Sequence, residues 1–409
     1  MALVGESAQA EGPRWSPVWS HAEGESAARE LFTGAFGYAS TSVNHAPGRV
    51  TIVGEHTDYS GGICLATCTQ QATYAAAAAR EDDTVRVAWR DHDGTTHEWT
   101  GVLADAVPAR PGDYAVRTRA VVWALAERGY VPRGFDLAIT TCIPLHAGIA
   151  EGVSVIAAIA LVIQDVWGLA LDSDQGRIEL AQVCVDAESG FSGVPTAGMV
   201  QHTILRCPPD QAVLMDFAET PPRMRYQPLY FPEYGLALLL IDTGRANTLT
   251  LEEYASRWDQ IRDACAALGV ERLRDVADAP HALRRIDAIE DPLLRRRARH
   301  VVTEIERVRI VSAELSGTAP AHERFVTIGK ALYRAHASME VDYDMSNPEL
   351  NAVVDGAFRA GALGARLVEG GFGGAAVALI RRAQAETTAR LITAEMVAAG
   401  YDAPSFSMI

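Results

Sequence analysis

The sequence predicts an α+β protein of two packed domains, and three observations carry that prediction. A chain of 409 residues with 48% hydrophobic content is long enough to bury two separate cores. Strand-like and helix-like periodicities are mixed in both halves. A passage holding Pro221, Pro222, Pro228 and Pro232 divides an apolar strand at 212–217 from another at 236–242. The domains are therefore expected at 28–217 and 218–409, behind a loose arm at 1–27.

The elements follow in order. Residues 1–27 are rich in Gly, Ser, Pro and Glu, the composition of an arm, and a helix is expected over 28–36. Strand-like runs come at 49–53, 73–79 and 84–89, the last alternating apolar and polar residues as a half-buried antiparallel strand does. Helices are expected at 115–128, 154–166 and 175–186, where apolar positions recur at three and four. Beyond the boundary come the strand at 236–242, a helix at 251–268, an arginine-rich helix at 293–315 and a helix at 348–360. A strand at 375–380 and a helix at 383–399 close the series. There is no internal repeat.

Composition excludes several partners. A net charge of -16 does not suit nucleic acid or an anionic membrane surface, because both reward a basic face. The only lysine is Lys330, so no other lysine is available as a phosphate-binding point charge. The six cysteines (Cys64, Cys68, Cys142, Cys184, Cys207 and Cys265) form no CxxC pair and read as reduced, buried thiols. The longest apolar run, 155–163, falls short of the roughly 20 residues that span a bilayer. A cytoplasmic protein with a small-molecule partner is expected. His202, His300 and His336 lack metal-ligand spacing and suit packing or solvated roles. Arg295, Arg296, Arg297 and Arg299 read as a solvated helix face.

One stretch is far more specific: Ala46-Pro47-Gly48-Arg49-Val50-Thr51-Ile52-Val53-Gly54-Glu55-His56-Thr57-Asp58-Tyr59. It resembles the opening signature of galactokinases, and further likeness runs through Gly193-Val194-Pro195, the Tyr254/Arg257 helix, 297–304 and 361–374. The resemblance implies the two-domain fold of the GHMP kinase superfamily, with the ligand cleft between the domains. It also implies that Glu55, His56 and Asp58 hydrogen-bond sugar hydroxyls, that Arg49 sits beside the reacting hydroxyl, and that Gly198 and Tyr254 belong to the sugar site. Such residue types suit the task, since vicinal hydroxyls donate as well as accept and one buried carboxylate takes two donors.

The phosphate end departs from that family. Galactokinases carry Pro-x-Gly-x-Gly-Leu-Ser-Ser-Ser-Ala, a loop whose backbone N–H groups and helix start cradle ATP phosphates. Here the chain reads Pro144-Leu145-His146-Ala147-Gly148-Ile149-Ala150-Glu151-Gly152-Val153-Ser154. Glu151 is thus expected where phosphate oxygens lie, within a degenerate nucleotide site of Gly148, Glu151, Gly152, Ser154, Val200, Glu369, Gly370 and Gly371. Val200 stands at the position of the family's candidate base, an Asp. In the closing segment Leu367-Val368-Glu369-Gly370-Gly371-Phe372-Gly373-Gly374, Val368 and Glu369 replace Thr and Gly.

The favoured expectation is an enzyme of this lineage that binds galactose or a related sugar or cyclitol, phosphorylated or not, with ATP-dependent phosphorylation weakened or replaced. Arg49, His146 and Glu151 are the candidate catalytic groups, and in the replaced version His146, Glu151 and Glu369 face the bound ring and supply acid/base groups. One alternative is a non-catalytic sugar sensor that signals through a protein partner. The other is an active sugar kinase in which Glu151 or Glu369 ligates magnesium. No protein metal site is expected, and ATP with Mg2+ enters only if kinase activity is kept.

Overall fold

In the computed structural model, residues 12–110, 112–145, 147–245, 250–368 and 374–409 are described. The described chain starts with β1 (Arg14–Trp15), which lies parallel to the last strand. Ser20 and Glu23 form a capping box that starts α1 (His21–Phe36), and Gly37 stops it with a φ of 81° that suits glycine. Two long antiparallel strands follow, β2 (Ser42–Val53) and β3 (Ile63–Ala79), with β-bulges between Pro47 and Arg49 and between Thr51 and Val53.

The first sheet is completed by β4 (Thr84–Arg90), β5 (Thr96–Val102), β6 (Phe135–Thr141), β7 (Gln211–Asp216) and β8 (Arg223–Pro228). Its strand order is β5-β4-β6-β3-β7-β8, with β2 paired to β3. Its helices are α2 (Tyr114–Glu127), α3 (Glu151–Trp167), α4 (Asp174–Asp186) and α5 (Met199–Arg206). The strand expected over 73–79 is ten residues shorter at its start than β3, which begins at Ile63. The reason is burial: nearly every residue of β3 is enclosed on both faces, so the alternation that signals a strand is missing.

The second half builds β9 (Leu236–Asp242), α6 (Leu251–Leu268), α7 (Leu273–Ala277), α8 (Ala282–Asp287), α9 (Pro292–Ser316), α10 (Ala321–Val341), α11 (Pro348–Arg359), β10 (Gly364–Leu367), β11 (Ala375–Arg381), α12 (Ala385–Ala398) and β12 (Ser405–Met408). Its sheet has the order β1-β12-β9-β11-β10. The α+β class stands as expected.

Two cores hold these layers. Val87, Leu137 and Ile139 pack on Val121, Leu125, Ile156 and Ile159, which seats α2 and α3 on the first sheet. The larger core joins Ile52, Val53 and Leu65 to Val301, Ile305 and Val308 of α9. Strands β2 and β3 therefore lean on both halves, and the turn between them sits where the halves meet.

One expectation about the surface is corrected. Arg297 is only 2% exposed: its guanidinium reaches Gln260, the Asp342 carbonyl and Asp344, so it is packed rather than solvated, whereas Arg295, Arg296 and Arg299 stay half-buried. Arg295 and Arg296 likewise turn back to backbone carbonyls, of Ile289 and Val341. Charge runs usually mark a wet face, but a guanidinium with five donors can be buried wherever carbonyls and carboxylates surround it. His202, His300 and His336 are buried, and desolvation pushes each down to about 4, so they pack as neutral rings. Among the described residues no helix is long and apolar enough to cross a membrane.

Candidate functional site

The turn after β2 is shaped by Gly54. Its φ is 108°, and a Cβ there would lie 2.8 Å from both the Cα of Cys64 and the carbonyl oxygen of Ile63, so only glycine fits. Its N–H donates to Glu304 on α9 at 2.9 Å, fixing the turn to the second half. Glu55, His56 and Asp58 follow. His56 holds a φ of 62°, a left-handed conformation that costs a non-glycine residue about 1–3 kcal/mol and is kept only where its surroundings enforce it. Those surroundings are aromatic: the His56 ring lies 4.6 Å from Tyr343, and its Nδ1 is 3.1 Å from the Tyr59 hydroxyl. Tyr59 in turn stacks on Trp258 at 4.4 Å. Behind the turn, His300 sits 3.2 Å from the Glu55 carbonyl and 3.0 Å from Ser338 Oγ, and as a neutral ring it donates to the carbonyl.

A buried charge network underlies this turn. Glu55 Oε1 is 4.0 Å from Arg49 Nη1 and 4.0 Å from Arg366 Nη2. Arg366 has no exposed surface; it also pairs with Glu304 at 3.5 Å and donates to the Ile52 carbonyl at 3.2 Å. Burial alone would raise the Glu304 carboxyl, but Arg307 and Arg366 hold it down to about 2. Among the described residues Asp58 makes no ion pair, and Arg49 is only a minor influence on it. Desolvation, helped by the charge of Glu55, pushes it up to about 6. Arg49 is 3% exposed, and its Nε and Nη1 have no hydrogen-bond partner among the described residues. Buried guanidinium donors left unmade are costly, which points to a polar ligand that completes them.

Arg49, Glu55, His56 and Asp58 line one end of a cavity of about 430 Å³, and Tyr254 of α6 closes its side. Burial first, and then the charge of Asp58, pushes the Tyr254 phenol far up, so it stays a neutral hydroxyl. The other end is the turn before α3. It is stitched to the sugar end at the β2 bulge, where the Arg49 N–H donates to the Ile149 carbonyl at 2.9 Å. A Cβ on Gly48 would meet that same carbonyl at 2.7 Å, so glycine permits the approach.

Glu151, in the first turn of α3, does line the cavity. Its carboxylate is not bare: the Tyr114 hydroxyl donates to it at 2.6 Å, and Arg117 Nη2 lies 4.0 Å away. Gly152 permits the arginine, because a Cβ there would fall 2.3 Å from Arg117 Nη1. Gly148 and Val200 also belong to the cavity wall. Ser154 does not; it is fully buried, donating to the Ala46 carbonyl at 2.7 Å and meeting Thr73 Oγ1 at 2.9 Å. Gly198 has a φ of 93° and a Cβ direction blocked by Val185 and His202, so it sets the start of α5 from just behind the wall. His146, Glu369, Gly370 and Gly371 lie outside the described residues.

Two wall residues, Arg117 and Glu188, and the Glu151 partner Tyr114 were not singled out from the sequence. Arg117 and Tyr114 come from the start of α2, far from any motif, and only folding brings them onto Glu151. Glu188 lies in a π-helical segment, Ala187–Phe191, and accepts from Gln201 Nε2 beside the cavity. A wide helical turn that aims a carboxylate into a cleft is a recurring functional feature, and it leaves little periodicity to read.

At this far end the first turn of α3 presents a carboxylate, Val200 is apolar and Ser154 is engaged in the core, while Ser192, Thr196 and Thr250 also belong to the cavity wall. Among the described residues no group of three or more His, Cys, Asp or Glu is placed to hold a metal ion.

The galactokinase galactose-binding signature matches residues 30–79, the GHMP kinases N terminal domain matches 113–205, and the GHMP kinases C terminal domain matches 318–398. A galactokinase of Streptomyces coelicolor is 34% identical over 378 residues, 92% of this chain and 94% of its own length. The chain belongs to the galactokinase family. A galactokinase of Mycobacterium tuberculosis (strain H37Rv) is 32% identical over 88% of this chain and 95% of its own. The crystal structure of Lactococcus lactis galactokinase complexed with galactose superposes with a TM-score of 0.80 at 25% identity, covering 94% of this chain and 97% of that one. Methanococcus jannaschii mevalonate kinase, at 15% identity and a TM-score of 0.59 over 90% of this chain, shares the fold. In this galactokinase family member the cavity draws Arg49, Glu55, His56 and Asp58 from the matched galactose-binding signature and Arg117, Glu151 and Glu188 from the matched N terminal domain.

Proposed function

We propose that the cleft binds galactose, or a sugar or cyclitol with the same hydroxyl arrangement, and that ATP-dependent phosphorylation of it is weak. One observation carries this reading: a single cavity holds Arg49, Glu55, His56, Asp58 and Tyr254 at one end, while Glu151 clamped by Tyr114 and Arg117 fills the other. Glu55 and Asp58 accept from ring hydroxyls and orient the sugar. Arg49, with two donors unmade, takes the oxygen nearest the cleft centre. The far end keeps the helix start but sets a carboxylate in it, and Val200 offers no proton acceptor. Kinship with galactokinases, and with the galactose complex of the Lactococcus lactis enzyme, supports the choice of sugar.

Calorimetry with galactose and with ATP–Mg2+, each alone, tests this, together with transfer of radiolabelled phosphate from ATP to a panel of hexoses and cyclitols. Galactose heat with little or no nucleotide heat and slow transfer is the expected result. Transfer at rates of about 10 per second, typical of enzymes, would refute it. A second reading, an efficient sugar kinase, draws on Glu188: its carboxylate reaches the same cavity and could bind a cation beside Glu151, while Arg117 supplies positive charge. Fast transfer that collapses in Glu188→Gln is its signature.

A further inference from the structure

A second cavity, of about 750 Å³, lies between β7–β8 and helices α7 and α9, with Ile63 at the start of β3 in its wall. The pleat of β8 places Arg223, Arg225 and Gln227 on one face, directly across from Asp216, Leu214 and Ala212 of β7. Arg274 of α7 and Arg309 of α9 complete the wall. Four arginines thus face one wall carboxylate, Asp216, in a chain whose net charge is -16.

The arginines are unequally satisfied. Arg274 bonds Asp278 at 2.8 Å and Asp216 at 3.4 Å, and Arg309 pairs with Asp278 and Glu306. Arg223 only approaches Asp216, at 3.9 Å, and Arg225 has no ion pair or hydrogen bond among the described residues. Beside them Gln227, 4% exposed, donates its Nε2 to the Ser312 carbonyl at 3.1 Å and to Ser316 Oγ at 2.8 Å. That leaves its Oε1 buried and without a partner among the described residues. An orphan amide acceptor calls for a hydroxyl donor, and forked guanidiniums that lack carboxylates call for a phosphate.

We propose that this groove is a second binding site that takes a phosphorylated sugar, the phosphate held by Arg225 and its neighbours and a ring hydroxyl held by Gln227 Oε1. The volume is within the range of small-ligand sites. The walls come from both halves, β8 from the first sheet and α7 and α9 from the second, so an occupant ties the halves together and raises thermal stability as its concentration rises.

The test titrates the full chain with glucose 6-phosphate and, separately, with inorganic phosphate at fixed ionic strength, followed by calorimetry and thermal melting. Saturable binding of glucose 6-phosphate, at least fivefold tighter than inorganic phosphate, is expected. Arg225→Ala, which removes an exposed side chain with no bonds to lose, weakens it at least tenfold, and Arg117→Ala in the other cavity leaves it unchanged. In Gln227→Leu, provided its melting curve shows a folded protein, the preference for the sugar phosphate over inorganic phosphate disappears. Unchanged binding in Arg225→Ala, loss in Arg117→Ala instead, or an effect that added NaCl reproduces would each overturn the proposal.

Discussion

Replacing Glu151 by Gln isolates the electrostatics of the phosphate end. The amide keeps an acceptor for the Tyr114 hydroxyl, 2.6 Å away, and removes only the charge. At an effective dielectric constant of about 20, a carboxylate roughly 5 Å from a phosphate oxygen costs on the order of 3 kcal/mol per charge. Arg117, 4.0 Å from Glu151, is already present to offset that repulsion. With the guanidinium roughly 7 Å from the same oxygen, the net repulsion falls to about 1 kcal/mol. Glu151→Gln removes the carboxylate and leaves the arginine, so the phosphate end becomes attractive. The swing of about 3 kcal/mol corresponds to ATP–Mg2+ binding roughly a hundredfold tighter at low salt. At 0.15 M salt, screening over about 8 Å reduces this to about tenfold. Calorimetry of ATP–Mg2+ against both proteins at two salt concentrations measures it, with galactose affinity as the control that must stay constant. A change of less than about twofold, with unaltered melting, would refute the idea that Glu151 governs this end.

Further outcomes follow from the same site. Adding Val200→Asp to Glu151→Gln restores a base and a neutral cradle together, and phosphate transfer to galactose should rise by about 10²-fold or more in the radiolabel assay. Asp58 sits near 6 rather than near 4, so galactose affinity should fall as pH drops below about 6, and Asp58→Asn should flatten that profile. Because the folded-state value is raised, the folded protein holds the extra proton, and stability is lost as pH rises from about 4 through about 6; melting of Asp58→Asn should lack that decline. Glu304→Gln removes the carboxylate that pairs with buried Arg307 at 2.5 Å and Arg366 at 3.5 Å, leaves Arg366 only its 4.0 Å approach to Glu55 among the described carboxylates, and should cost about 3–5 kcal/mol in urea unfolding. Its sign is opposite to that of Asp58: the contribution of Glu304, held near 2, is present at neutral pH and lost as acid protonates it. Gly54→Ala forces a Cβ to 2.8 Å from backbone atoms at a φ of 108°, and should lose more than about 2 kcal/mol in the same measurement.

Local chemistry explains what was legible before folding. The turn of Gly54, Glu55, His56 and Asp58 is contiguous, so its glycine, its carboxylates and its spacing can be read along the chain. The same holds for helices with a clear apolar stripe, such as α3. α10 was not anticipated, although Phe325, Ile328, Leu332 and Met339 form a stripe, because buried Arg324 and His336 interrupt it. β6 was also not anticipated; it is buried throughout on both faces, Asp136, Thr140 and Thr141 included, so polarity along this short segment does not report which face is inside.

By itself the sequence determined the family, the α+β class and the residue types of the sugar end, since these depend on order along the chain. The presence of a carboxylate in the first turn of α3 was equally plain. Only tertiary structure decided what that carboxylate faces: Tyr114 and Arg117 arrive from 37 and 34 residues away, and Arg366 reaches Glu55 from the far half. Coulomb energy depends on distance through space, and that distance is set by packing rather than by separation in the chain.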